Sequence, residues 1–397
     1  MDSNNMAKNN KHKRGFATDA IHVGSEPNLK DGGSGDVVVP IHLSTTFARS
    51  KLKEPTGGYA YSRSGNPTRA ALEKNLAVLE NGTAAFAYSS GLAAITNVAL
   101  LLKSGDHVLC IDDVYGGTRR IFTRAFEKFG VEFTFAEFIN AKDAQKFIKK
   151  NTKMIWIETP TNPLMKIVDI ASVSKSAKDN GILTVVDNTF CTPYFQKPLD
   201  LGADIVVHSM TKYLSGHSDV TAGSIIVKDS KLAEKIGFFQ NAAGCILSPF
   251  DSYSVLRGIK TLELRMQKHD KNTMDVVEFL SKHKKVKKVY HPTIPTHPGH
   301  EVAIKQASGF GGTFSFELVG DLDSAIKFME SLRLIYIAES LGDQVTLINH
   351  PATMTHADVP PDERKKIGIA DTLLRLSIGI EDAEDLIGDL SQALDKI

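Results

Sequence analysis

The chain has 397 residues, 42% of them hydrophobic, with 47 Lys plus Arg against 46 Asp plus Glu. It is too long for one ordinary core, and so nearly neutral that no global field recommends nucleic acid or an anionic membrane as partner. Cys110, Cys191 and Cys245 lie far apart with no C-x-x-C pair, which argues for a reducing compartment and against a structural zinc site or a disulfide framework.

No apolar run approaches the roughly 20 residues that span a bilayer, so a cytoplasmic protein is expected. The start, Met1 to Arg14, is polar and basic without the apolar stretch of a signal peptide, and reads as a disordered, solvated tail; a transit peptide is the alternative. From Gly15 to about Asn66 the pattern is irregular, with Gly32-Gly33-Ser34-Gly35 and several prolines. So long a loop-like arm is expected to pack on another subunit or to line a site. Within it, Tyr61 and Arg63 point the same way from an extended backbone and could grip a phosphate together; a plain surface turn closed by Gly65-Asn66-Pro67 is the other reading.

Periodicity predicts a helix over Thr68 to Glu80 with Leu72, Leu76 and Leu79 on one face. A strand over Ala84 to Tyr88 then runs through Ser89-Ser90-Gly91 into a helix reaching Leu102. The free N–H groups at that helix start could bind an anion, although the turn is not G-x-G-x-x-G, which disfavours a nicotinamide-linked oxidoreductase. Further strands are expected at His107 to Ile111, Val131 to Phe135, Met154 to Glu158 and Ile182 to Val186, with helices to about Phe129, over Ala141 to Lys150 and over Val168 to Asn180. Tyr115 follows one of these strands on a glycine-flexed loop, and Asn162 stands in a rigid double-proline turn after another.

Ala203 to Ser209 is an apolar strand that stops in Ser209, Thr211 and Lys212, just as the strand ending at Val186 stops in Asp187. Strands alternating with helices mean an α/β fold with a largely parallel sheet, whose ligands sit at the carboxyl edge. A further strand, Ala222 to Val227, and a long helical region, Asp251 to Leu280, lead out of that sheet. Beyond it, Thr313 to Leu318 alternates as a half-solvated strand should, and strands at Leu334 to Ala338 and Leu373 to Ile380 flank a helix at Asp382 to Leu394, with another helix at Asp323 to Leu332. Tyr290 to Gly312 and His350 to Lys366 read as loops; His291, His297 and His300 lack the carboxylate or cysteine support of a metal site.

Pyridoxal phosphate needs an amine for its aldehyde, a carboxylate for its ring nitrogen and a cradle for its phosphate. Lys212, Asp187, and Ser209 with Thr211 plus the Ser90-Gly91-Leu92 turn supply these at one sheet edge. Around them the chain resembles the pyridoxal-phosphate-dependent transsulfuration (Cys/Met metabolism) enzymes, from about Gly15 to the C-terminus. The motifs that carry it are Tyr61-Ser62-Arg63-Ser64-Gly65-Asn66-Pro67-Thr68, Asp113-Val114-Tyr115-Gly116-Gly117-Thr118, Glu158-Thr159-Pro160-Thr161-Asn162-Pro163, Val186-Asp187-Asn188-Thr189, Thr211-Lys212-Tyr213 and Arg375-Leu376-Ser377.

The resemblance implies a fold type I, aspartate aminotransferase-like architecture: a tail and arm over 1–66 reaching a neighbouring subunit, a cofactor-binding large domain over 67–255 and a smaller α+β domain over 256–397. It implies that Lys212 holds the cofactor and is catalytic, that Asp187 faces the ring nitrogen, and that Tyr115 stacks on the ring and assists proton transfer. Ser209, Thr211, Gly91 and Leu92 match the phosphate cradle. Tyr61 and Arg63 match ligands arriving from another subunit of a homotetramer. Arg375 matches the binder of the substrate α-carboxylate, with Asn162 and Ser340 near it, and Glu339 matches an acidic residue suited to a distal ammonium.

The implied activity is α,γ-elimination of L-cystathionine to L-cysteine, 2-oxobutanoate and ammonia, with release of hydrogen sulfide from cysteine or homocysteine as a side activity. Gly117, where methionine γ-lyases carry a cysteine, counts against that activity. Ala60 replaces a second acidic residue of several cystathionine γ-lyases and points to weaker affinity or broader specificity. Cystathionine γ-synthase chemistry on an acylated homoserine remains an alternative, as does a relic that binds the cofactor without catalysis.

Overall fold

The computed structural model describes residues 14–30, 33–355, 364 and 367–397. Most of the basic tail, and nearly all of the second half of the expected loop His350 to Lys366, lie outside the described residues.

Among the described residues, twelve strands form two sheets. The first contains β1 (Ala84–Tyr88), β2 (His107–Ile111), β3 (Glu132–Ala136), β4 (Thr152–Glu158), β5 (Leu183–Asp187), β6 (Ile205–Ser209) and β7 (Gly223–Val227), in the order β1-β7-β6-β5-β4-β2-β3. All pairs are parallel except those made by β7, which runs antiparallel to both neighbours. Its inner strands are continuous apolar runs because helices cover both faces. Every residue of β2 is buried, and Trp156, Val185 and Ile205 sit in one cluster with it.

The second sheet holds β8 (Val286–Tyr290), β9 (Thr313–Leu318), β10 (Tyr336–Ile337), β11 (Leu347–Asn349) and β12 (Leu373–Ser377), in the order β10-β11-β12-β9-β8. One helix, Leu262–Lys282, joins the two lobes: Leu262 and Met266 enter a core under the first sheet, while Val276, Val277 and Leu280 enter the core of the second. It is a separate helix from Pro249–Ile259, because Thr261 between them leaves helical geometry (φ −109°, ψ 10°).

Several expectations are corrected by packing. Strand β9 is buried at all six positions, not half-solvated. Phe314, Phe316 and Leu318 face the small lobe's core, while Thr313 and Ser315 meet the large lobe: Thr313 Oγ1 lies 2.9 Å from Tyr213 OH, and Ser315 Oγ donates to Pro163 O at 2.7 Å. The stretch read as a loop from Tyr290 to Gly312 contains the end of β8 and a helix, His300–Gln306. The helices Phe16–His22 and Ser230–Ala243 stand where the sequence pattern predicts none; the first is held by Asn75, whose Nδ2 donates to Val23 O at 2.8 Å. The helix expected to reach Lys150 stops at Gln145, and the strand expected over Leu334 to Ala338 shrinks to Tyr336–Ile337.

Candidate functional site

The carboxyl ends of β4, β5 and β6, the start of helix Gly91–Ala99, the loop 339–341 and Arg375 of β12 enclose a cavity of about 430 Å³. Lys212, Asp187, Ser209, Thr211, Gly91, Leu92, Tyr115, Asn162, Glu339, Ser340 and Arg375 all line it. Tyr61 and Arg63 do not. Arg63 Nη1 donates to Asn241 O at 2.5 Å and to its Oδ1 at 3.0 Å, and Tyr61 is 47% exposed beside it.

Helix Gly91–Ala99 begins where β1 leaves the sheet. Ser90 caps it, its hydroxyl accepting from Ala93 N–H at 3.0 Å, and the following N–H groups point to the cavity edge as at any helix start. A Cβ at Gly91 would stand 3.0 Å from Ser209 Cβ, so a side chain there would crowd the space between helix and β6. Thr211 is partly engaged already: its hydroxyl accepts from Ala222 N–H at 3.0 Å.

Lys212 follows β6, its N–H donating to Ser209 O at 3.2 Å, and its Nζ donates to Ser340 Oγ at 2.6 Å. Burial, reinforced by the Arg375 cation and opposed by Glu339, lowers its pKa to about 8. An amine so placed is neutral often enough near neutral pH to act as a base or nucleophile.

Arg375 gains its position from the alternation of β12: Leu374 and Leu376 fill the small lobe's core, and the guanidinium is buried on the other face. Nη1 donates to Asn162 Oδ1 at 2.9 Å and Nη2 to Ser340 O at 2.6 Å. With its amide oxygen turned inward, Asn349 accepts from Nε at 3.2 Å. Ser340, with φ of 96°, adopts a backbone conformation costly for a non-glycine residue. Its carbonyl and its hydroxyl thereby serve two different cations.

Asp187 ends β5. Thr189 donates to its Oδ1 through the hydroxyl at 2.6 Å and the N–H at 3.0 Å, and the same hydroxyl accepts from Ser209 N–H at 2.9 Å. Burial raises the pKa of Asp187, and the Thr189 donors oppose that rise. Glu158, its neighbour across β4 and β5, is pushed well above the usual carboxylate range by burial and by Asp187. Its Oε2 accepts from Tyr115 N–H at 2.9 Å, so it fixes the backbone that carries the Tyr115 ring.

Glu158 and Thr189 were not among the expected site residues. Both lie inside motifs already singled out; a carboxylate ending an otherwise buried strand, and a hydroxyl two residues beyond Asp187, were the available signals. Asp113 is a third such residue. Its Oδ2 accepts from Thr161 Oγ1 at 2.5 Å and Leu164 N–H at 3.0 Å, pinning the turn that presents Asn162, and burial raises its pKa to about 6.

Tyr115 stands at the mouth, 44% exposed, just before helix Gly116–Arg124. A Cβ on Gly117 would collide with its ring. Among the described residues no group of three or more His, Cys, Asp or Glu is gathered as a metal site, and His300 Nδ1 instead lies 2.9 Å from Pro292 O.

Residues 17–395 match the family model described as Cys/Met metabolism PLP-dependent enzyme. The chain is 49% identical over 391 residues to a cystathionine gamma-lyase of Dictyostelium discoideum, spanning 98% of this chain and 100% of that one. It is 50% identical over 380 residues to a cystathionine beta-lyase of Lactococcus lactis subsp. cremoris, spanning 96% and 98%. The crystal structure of a cystathionine gamma-lyase from Lactobacillus plantarum, complexed with L-serine, superposes with a TM-score of 0.92 at 44% identity, over 97% of this chain and 99% of that one. The expected fold class, α/β of fold type I with a mostly parallel sheet and a smaller α+β part, agrees with this likeness.

Proposed function

The chain belongs to the Cys/Met metabolism PLP-dependent enzyme family, and from that premise we propose that this carbon–sulfur lyase carries out α,γ-elimination of L-cystathionine to L-cysteine, 2-oxobutanoate and ammonia. The observation that carries the substrate is the presence of Arg375 and Glu339 in one cavity, with Lys212 lining the same space. A guanidinium suits one α-carboxylate, and a carboxylate near the mouth suits the ammonium at the far end of a diamino dicarboxylate.

The residues fit the family's cofactor. The cavity offers a lysine of lowered pKa, a half-buried Asp187 whose carboxylate gains from a cation beside it, and a helix start kept clear by Gly91. Lys212 would hold pyridoxal phosphate, Asp187 would face its ring nitrogen and Tyr115 its ring. Ser209, Thr211 and the N–H groups at Gly91 and Leu92 would receive its phosphate. When bound, the cofactor supplies an electron sink for negative charge at the substrate α-carbon.

This chain's residues then do the positioning and the proton movement. Arg375, aimed by Asn162 and Ser340, fixes the α-carboxylate. Neutral Lys212 removes the α-proton and then moves a β-proton, after which the γ-thiolate leaves. Tyr115, held by Glu158, covers the reacting carbon from solvent.

Tyr61 and Arg63 would act in the cavity of a neighbouring subunit of a homotetramer. Their distance from their own cavity supports that role, as do the exposed apolar residues of the arm, among them Leu29, Val37 and Leu52. Three unpaired cysteines support a cytoplasmic setting.

The similarity to β-lyases favours a second reading, β-elimination of the same substrate to homocysteine, pyruvate and ammonia. Incubation of the purified protein with cystathionine decides between them. 2-Oxobutanoate with cysteine supports the proposal, and pyruvate with homocysteine overturns it. Parallel incubations with methionine, and with cysteine plus an acylated homoserine, test the methionine γ-lyase and cystathionine γ-synthase alternatives.

A further inference from the structure

A second cavity, of about 540 Å³, is lined by residues of both lobes. Its walls are mainly apolar, with Phe138, Leu164, Ile167 and Ile294 among them, and edge strand β8 forms one side. This volume and lining are those of a site for a small organic ligand. Three lysines, Lys166, Lys287 and Lys288, line it together with Glu137. Lys166 is held by Asp112 at 2.9 Å and Lys287 by Glu317 at 2.9 Å. Lys288 pairs with no carboxylate within 4 Å among the described residues; its ammonium sits 4.1 Å from the centre of the Tyr290 ring, inside the lining.

One segment, residues 159–167, contributes to both cavities: Pro160 and Asn162 line the catalytic one, and Leu164, Lys166 and Ile167 the second. Leu164 faces the second, and its N–H shares Asp113 Oδ2 with Thr161. Thr161 Oγ1 also accepts from Lys166 N–H at 2.9 Å. Between Thr161 and Leu164, Asn162 reaches into the catalytic cavity to meet Arg375. Displacing Leu164 or Lys166 therefore moves the anchor that aims Asn162, because a close-packed interior transmits such shifts.

We propose that the second cavity binds a small carboxylate with an apolar, ring-sized body, its charge at Lys288, and that this site is coupled to the catalytic cavity through residues 159–167. Coupling of this kind is reciprocal, so each ligand changes the affinity for the other by the same factor.

The test uses the holoenzyme with 4-phenylbutyrate and its uncharged counterpart 4-phenylbutan-1-ol, followed by calorimetry. One acid should bind per chain, and the alcohol about tenfold more weakly. Lys288→Gln should remove that difference. Ile294→Trp should fill the cavity and abolish binding, and Thr296→Trp at the rim repeats the block should the first variant fail to fold; retained cofactor absorbance reports folding. Adding 2-aminoisobutyrate, an amino acid without an α-proton, should change the affinity for the acid by about fivefold or more. Equal binding of acid and alcohol, binding untouched by the Trp variants, or affinities independent of 2-aminoisobutyrate would each overturn the proposal. Strict competition that survives Thr296→Trp would place the acid on Arg375 and overturn it too.

Discussion

Lys212 Nζ and Ser340 Oγ meet at 2.6 Å although 128 residues separate them in sequence. One follows β6 in the large lobe, the other belongs to a strained loop of the small lobe. The contact makes the candidate base sensitive to how the lobes sit together, and the chemistry of the site follows from that placement.

Lys212→Ala is expected to lower turnover of cystathionine by at least about 10⁴-fold, since general-base catalysis alone contributes 10²–10⁴. The purified variant should also lose the visible absorbance of the covalently held cofactor. A variant retaining both would remove Lys212 from its proposed role.

The pKa of Lys212 has opposed electrostatic neighbours. Its base function needs the neutral amine, so the activity limb should rise with pH through about 8. Arg375→Leu removes a like charge and should move this pKa upward, toward the ordinary lysine range, whereas Glu339→Gln should move it downward. The rate of acetylation of Lys212 against pH, in cofactor-free protein, measures both shifts; shifts of the same sign would contradict the account.

Glu339→Val should raise KM for cystathionine about fivefold, the upper range for a solvent-exposed ion pair, and leave KM for methionine nearly unchanged. Equal losses on both substrates would mean that Glu339 supports the loop and does not meet a distal ammonium.

Thr189→Val deletes one donor to Asp187 and the acceptor of Ser209 N–H at once. Leaving such groups unpaired costs about 1–3 kcal/mol each. Cofactor affinity, followed by absorbance during dialysis, should fall roughly tenfold or more, and Thr189→Ser should restore most of it.

Gly117→Ala would push a methyl group into the Tyr115 ring. Turnover should drop about tenfold, as expected when a positioned group is moved without being removed. In the Tyr115→Ala background, where no ring is left to meet, the same change should cost much less, since residues in contact do not act additively.

Much of the site lay in local pattern. Buried strands of a parallel sheet are apolar from end to end, so Asp187 and Ser209 stood out as the places where those runs stop. The lysine after β6 and the Ser-Gly helix start belong to the same kind of signal, set by a few consecutive residues. Burial on the far side of an element has no such local trace. Strand β9 alternates like a solvated strand, yet Thr313 and Ser315 are buried where they meet the large lobe and Glu317 where it meets Lys287 and Tyr290 of β8.

The amino-acid sequence by itself determined which groups end the strands, and with them the family's chemistry. Tertiary structure decided what those groups touch. Arg375 finds Asn162 across 213 residues, Glu158 fixes the backbone of Tyr115, and Tyr61 with Arg63 is carried out of its own cavity. The physical reason is range. Periodicity and strand ends reflect interactions among near neighbours, whereas the pKa of Lys212 and the aim of Arg375 arise from burial and charges supplied by the other lobe.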